Sequence, residues 1–208
     1  KAQPLTMAQV NALSKSRDRW FPLVEKIAAE QGLDPNLLMA LLQTESGGNP
    51  DVTSKDGAAG LIQLMPKTAA AYGVSSQERF NPEKNIRAAA KYLKDLEKDP
   101  STQGQISRML MAYNYGQGNL QKASQGKGTI EELFASVPKE TQDHLIRTAS
   151  NYAALSAQNI PRGGATVLKA AAYDTEDYRR INKEIGELAI SKSSISRRLK
   201  LAQEAQDE

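Results

Sequence analysis

Helix start and stop signals dominate this chain, and period-two strand alternation is almost absent. Asp34-Pro35 places a capping residue before a proline at the first helical position, the arrangement that opens a helix. Gly47-Gly48 closes that segment after Ser46. Thr6-Met7-Ala8-Gln9 has the form of a capping box and predicts a short helix. A second helix follows with Trp20, Val24, Ile27 and Ala28 on one face, Pro22 in its first turn and Gly32 at its end. Pro66 to Tyr72 predicts a helix stopped by Gly73, and Asn81-Pro82 opens another with Ile86, Ala89, Ala90 and Leu93 as its apolar face. Ile106 to Tyr113 and Glu140 to Leu155 read as further helices, while Gly116, Gly118, Gly126 and Gly128 mark the stretch between them as loop. The fold class that follows is all-α.

Three regions emerge. Residues 1–17 read as an N-terminal helical extension, residues 18–157 as the main domain, and residues 158–208 as a linker followed by a charged tail. Pro161-Arg162-Gly163-Gly164 is the clearest linker signal. Residues 174–208 carry eight acidic and seven basic side chains. Their Tyr178, Ile181, Ile185, Leu188, Ile195, Leu199 and Ala202 keep heptad-like spacing, interrupted by Lys192. That pattern suits an amphipathic helix lying on its own domain, or one that pairs with another chain.

Composition removes whole classes of chemistry. There is no cysteine, hence no disulfide, thiolate zinc site or cysteine nucleophile. A single histidine, His144, excludes any multi-histidine metal site. No metal or organic cofactor is expected. The net charge of +3 does not mark a nucleic-acid protein, although the pI near 9.0 suits an anionic partner. No apolar run approaches the length of a membrane span. The chain opens Lys1-Ala2-Gln3-Pro4 without an initiator Met or a signal peptide, which fits either a removed leader or a piece of a longer protein.

Glu45 is the residue that draws chemical attention. It follows Leu38 and Leu41 on one helical stripe and is the last carboxylate before the Gly47-Gly48 break. A carboxyl group there is partly desolvated, which favours its protonated form and suits a general acid. Gly57 and Gly60 allow close backbone approach, so the loop between Gly47 and Gly60 is fitted to wall one side of a cleft.

Three ordered segments then carry a resemblance. They are Glu45-Ser46-Gly47-Gly48-Asn49-Pro50, Gly57-Ala58-Ala59-Gly60-Leu61-Ile62-Gln63-Leu64-Met65-Pro66, and Ala112-Tyr113-Asn114-Tyr115-Gly116. Asn81-Pro82, Asn85-Ile86, Tyr92-Leu93 and Pro138 to Thr141 add to them. Together they resemble the soluble lytic transglycosylase family of the lysozyme-like superfamily over roughly residues 18–157. The resemblance implies a lysozyme-like helical domain that cleaves the β-1,4 bond between N-acetylmuramic acid and N-acetylglucosamine in peptidoglycan strands. It implies that Glu45 is the catalytic acid and then the base, the muramyl C6 hydroxyl closing on C1 to leave a 1,6-anhydro end. It also implies substrate contacts from Ser54, Gln63, Met65 and Tyr113, with Asn114 orienting local hydrogen bonds.

The chain departs from the family pattern at Ile62, where methionine is usual, and at Tyr115, where a small residue is usual. His144 stands where the family often has an aromatic, and reads as a helix residue filling that role. Two other functions compete with the lyase: a glycan-binding module that kept the fold, and a hydrolase like the goose-type lysozymes, which would need a carboxylate such as Asp56 to hold water. The Ala-Tyr-Asn-x-Gly-x-Gly-x-Leu pattern at residues 112–120 also looks like phage internal virion proteins. That implies carriage in a virion for cell-wall opening during genome entry, with the tail contacting other virion subunits. The alternative is a bacterial enzyme of the periplasm or cell envelope.

Overall fold

The computed structural model describes residues 5–127 and 129–156. The linker and charged tail proposed from the sequence lie outside these residues. Eight α-helices appear among them: α1 (Met7–Gln31), α2 (Pro35–Ser46), α3 (Pro66–Ala71), α4 (Pro82–Lys98), α5 (Ile106–Tyr115), α6 (Gln117–Ser124), α7 (Ile130–Ser136) and α8 (Lys139–Ser156). A single 3-10 turn, Glu78–Phe80, precedes α4. No strand is found among the described residues; two isolated bridges, Thr53 with Ala59 and Ala59 with Leu64, are the nearest approach. The chain is all-α, as the punctuation predicts.

Helix α2 is the axis of the domain. Asp34 caps it by accepting from the Asn36 amide, and Gly47 ends it in a left-handed conformation. Leu37, Leu38, Met39, Ala40, Leu41 and Leu42 are all buried, so α2 is enclosed on every side over its middle turns. The single apolar stripe expected there is too narrow a description. A helix apolar all round must be surrounded, and α1 and α8 pack on it. Glu45 sits in its last turn, where the helix emerges from that enclosure.

The amino-terminal region corrects the sequence reading. One continuous 25-residue helix replaces a short helix followed by a second, and Pro22 lies inside it, not in a first turn. Proline removes one helical hydrogen bond and crowds the preceding turn. Burial of Leu13, Ser16, Trp20, Val24 and Ile27 along one face holds the helix together across it. The division proposed between residues 17 and 18 therefore falls within α1. The capping box at Thr6 and Gln9 forms as expected.

Two further helices lie where none is predicted. α6 occupies part of the glycine-bearing stretch read as loop: Gly116 stands at its start with φ of 91°, and Leu120 is fully buried. Its glycines mark the entry to a helix, not its absence. α7 begins with a capping box between Thr129 and Glu132 and buries Leu133 and Phe134. α8 closes the domain against α2 and α5. Its Tyr152 is fully buried, and the Tyr152 hydroxyl donates to Asp34 Oδ2 at 2.7 Å, tying the far end of α8 to the cap of α2.

Candidate active site

Glu45 lies at the seam of α2 and α8. Its side chain is 13% exposed, and its Oε1 is 2.7 Å from Nε2 of His144. His144 is itself 2% exposed. His144, read from the sequence as a helix residue in an aromatic's place, is the direct hydrogen-bond partner of the Glu45 carboxyl group. Oε2 of Glu45 makes no hydrogen bond among the described residues. One oxygen is held by the protein and the other is not.

A row of polar side chains fixes this seam. Thr44, next to Glu45, donates to the Ala40 carbonyl at 2.9 Å and accepts from Asn151 Nδ2 at 3.0 Å. Thr148 Oγ1 lies 3.0 Å from Thr44 Oγ1 and 2.9 Å from the His144 carbonyl, its one proton shared between them. Thr141, His144, Thr148 and Asn151 recur at helical spacing on α8. That buried polar stripe is the signal in the sequence that could have marked His144, since buried polar groups need partners.

The wall after α2 is irregular backbone held by buried side chains. Ser16 Oγ donates to the Gly47 carbonyl at 3.0 Å and Trp20 Nε1 to the Gly48 carbonyl at 2.8 Å. Asn85, fully buried, accepts from the Ile62 amide and donates to the Ala59 and Arg79 carbonyls. Arg79, also buried, donates to the carbonyls of Gly57 at 2.6 Å, Leu64 at 2.8 Å and Ser76 at 3.1 Å. Neither Ser16, Trp20 nor Arg79 is singled out by the sequence as a site residue. Gly60 has φ of 85°, and a Cβ there would lie 2.1 Å from the Arg79 carbonyl oxygen. Its close approach is therefore to the protein's own backbone, a tighter demand than clearance for a ligand.

The predicted contact residues fall along this wall and on α5. Gln63 adopts a positive φ of 42°, uncommon for a residue with a side chain. Its Nε2 donates to the Val52 and Gly60 carbonyls at 3.0 and 2.9 Å, so its amide nitrogen serves the loop and its Oε1 remains as the group able to meet a ligand. Ser54 Oγ accepts from the Ala58 amide at 3.0 Å within a turn. Met65 is 42% exposed at the start of α3, a surface position and not a core one. The Tyr113 hydroxyl donates to the Ile62 carbonyl at 2.7 Å, and its ring packs against Tyr92 with centroids 5.3 Å apart. Burial first, and then the charge of Glu45, push the Tyr113 hydroxyl well above the ordinary tyrosine range, so it stays a neutral donor. Asn114 Oδ1 accepts from Thr141 Oγ1 at 2.8 Å, linking α5 to the start of α8. Tyr115 is partly buried against the core and its carbonyl accepts from Asn119 Nδ2 at 2.8 Å.

Asp51 and Asp56 are both exposed on the loop. The group directly bound to Glu45 is a histidine, not a second carboxylate. No grouping of three metal-ligating side chains occurs among the described residues, and no described helix is long and apolar enough to cross a membrane.

Comparison with known proteins matches the chain to lytic transglycosylases. The endo-type membrane-bound lytic murein transglycosylase A of Klebsiella pneumoniae subsp. pneumoniae is 36% identical over 145 residues, covering 62% of this chain and 71% of that protein. The protein of the same description from Salmonella paratyphi B is 33% identical over 144 residues, covering 62% of this chain and 71% of its own. Among solved structures, the 70 kDa soluble lytic transglycosylase of Escherichia coli superposes with a TM-score of 0.57 at 25% identity, over 67% of this chain and 25% of that one. An inactive mutant of the lytic transglycosylase Slt of Pseudomonas aeruginosa gives 0.56 at 25% identity, over 68% of this chain and 24% of that one. The chain thus spans about a quarter of the length of those two larger proteins. The family model described as the transglycosylase SLT domain matches residues 22–133, just over half of the sequence, and this chain belongs to that family.

Proposed function

We propose that the chain is a peptidoglycan lytic transglycosylase in which Glu45 performs both proton transfers. The observation that carries this reading is a single carboxyl group at the end of a buried helix, one oxygen bound by His144 and the other unbound. The protonated carboxyl would give its proton to the glycosidic oxygen as the C1–O bond breaks. The resulting carboxylate would take the proton of the muramyl C6 hydroxyl as that oxygen bonds to C1. Glu45 ends the cycle protonated again, so no water is consumed. An internal hydroxyl held beside C1 replaces the water that most glycosidases position with a second carboxylate. Gln63 Oε1 and the exposed Met65 would face the sugar, with Ser54 and Asn114 supporting the loop and α5; Tyr113 holds the Ile62 carbonyl in place.

The setting we infer is a phage virion, where local wall opening accompanies genome entry. The support is the residue pattern at 112–120 and the charged tail; the relatives compared above come from bacteria, so a periplasmic or envelope enzyme is the competing setting. A purified full chain that is strictly monomeric would weaken the tail's part in this inference.

Mass spectrometry of peptidoglycan digested with the protein and with Glu45→Gln tests the chemistry. Anhydro-ended muropeptides from the wild type, reduced by roughly 1,000-fold or more in the variant, are expected. Reducing-end products would make it a hydrolase. Glycan binding without products would make it a binding module.

A further inference from the structure

His144 has a second feature beyond its contact with Glu45: its Nδ1 is buried and has no hydrogen-bond partner. That asymmetry constrains where the imidazole proton sits. A neutral imidazole has one N–H and one bare nitrogen. If the hydrogen is on Nε2, it donates to Glu45 Oε1, and Nδ1 is left as a lone pair. If Glu45 instead donates to Nε2, the hydrogen must move to Nδ1, where a buried N–H meets no acceptor. An imidazolium has the same unsatisfied Nδ1–H. An unpaired buried donor is disfavoured more than an under-used acceptor.

We propose that His144 is a positioning residue that works as a neutral Nε2–H donor, locking Glu45 Oε1 so that the catalytic proton is carried on Oε2. The proposal rests on the reading of Glu45 as the acid and base. His144 then neither gives nor takes a proton during the reaction. Its hydrogen bond is to a neutral carboxyl at the start and to a carboxylate once the glycosidic oxygen is protonated. Hydrogen bonds to ionised acceptors are about twice as strong as neutral ones. The contact therefore strengthens as the transition state is approached, which is the condition for raising kcat instead of only tightening binding. Tyr113 on α5 is raised by burial and then by the charge of Glu45, and its hydroxyl is committed to the Ile62 carbonyl. The seam holds the ring in place: Thr148 meets the His144 carbonyl, and Thr141 fixes the first turn of α8 against Asn114.

The chain has one histidine, so labelling histidine with 15N in tag-free protein gives a single imidazole to observe. A protonated Nε2 and an unprotonated Nδ1 at neutral pH are expected. The Nδ1–H tautomer, or an imidazolium at neutral pH, overturns the proposal. Kinetics supply the second arm. His144→Gln keeps an N–H at the position of Nε2 and cannot titrate; it should stay within a few-fold of wild-type kcat with the shape of the pH profile unchanged. His144→Leu should lower kcat on the order of 10- to 100-fold with KM little moved. Wild-type turnover in His144→Leu, or loss of a limb of the pH profile in His144→Gln, overturns the proposal. Circular dichroism melting of both variants separates misfolding from lost positioning. A wild-type protein that yields no anhydro ends sinks the enzyme reading instead, and the imidazole spectrum still decides the tautomer.

Discussion

The seam between α2 and α8 and the loop from Gly48 to Leu64 meet near Glu45, yet they are built from different bonds. In the seam, two regular helices face each other and their side chains bond to one another: Glu45 with His144, Thr44 with Thr148 and Asn151. In the loop, backbone groups pair irregularly with one another, and side chains bond the rest: Trp20, Arg79 and Asn85 from elsewhere, and Gln63 of the loop itself. Tyr113 joins the two, bonding the Ile62 carbonyl while sensing the charge of Glu45. The difference teaches a division of labour. The helices carry their own backbone hydrogen bonds, so seam side chains are free to set the position of a proton. The side chains that hold the loop from elsewhere are spent on its backbone, so changing them removes structure before it removes chemistry.

Changes to the loop and to the side chains that hold it should produce the largest stability losses. Gly60→Ala forces a Cβ to within 2.1 Å of the Arg79 carbonyl oxygen and strains a positive φ. Asn85→Leu leaves the Ile62 amide and the Ala59 and Arg79 carbonyls without their partner. Each should cost about 3 kcal/mol or more in urea denaturation, with activity falling in step with the folded fraction. Loop variants that keep full stability while losing activity would break the division.

A seam variant should behave in the opposite sense. Thr148→Val removes one hydroxyl of the ladder and keeps the shape, and should cost about 1 kcal/mol. Its effect on kcat should exceed what unfolding explains, because the His144 carbonyl loses its contact. Single-turnover rates at a temperature well below the melting transition check this. A rate equal to wild type would show that the seam tolerates a missing bond.

The smallest effect is expected at the surface beside the loop. Lys84, first, and then the Ser75 amide and hydroxyl lower the Glu78 carboxyl from 4.5 to about 2. Its folded value lies below its unfolded one, so its stabilising contribution is present above the ordinary glutamate range. That contribution fades as pH falls from about 4.5 toward 2. The group is fully exposed, so the effect should be slight and should shrink further with added salt. Acid unfolding of the wild type and Glu78→Gln at low and high salt measures it. A difference that survives high salt would show that the hydrogen bonds to Ser75, not the charge of Lys84, hold this turn.

The sequence by itself determined the all-α class, the bounds of α2, the start of α4 and the place of Glu45 at a helix end. Those features depend on neighbouring residues alone. A capping residue, a proline at the first helical position or a glycine in the left-handed conformation acts within one turn of chain. Local signals failed where long-range burial overrode them. Pro22 reads as a first-turn proline of a second helix, but the α1 face buried from Leu13 to Ile27 carries one helix through it. The glycines at 116 and 118 read as loop, but burial of Leu120 supports a helix. The resemblance placed Gln63, Ser54, Met65, Tyr113 and Asn114 in one region, without saying that the nitrogen of Gln63 closes the loop or that Asn114 meets Thr141. The pairing of Glu45 with His144 was decided by the tertiary structure alone. The two lie 99 positions apart, and nothing in a local pattern fixes which faces of α2 and α8 meet. Packing of α8 against an enclosed α2 sets that register, and it brings Glu45 to His144 and Thr44 to Thr148 and Asn151 within hydrogen-bond distance.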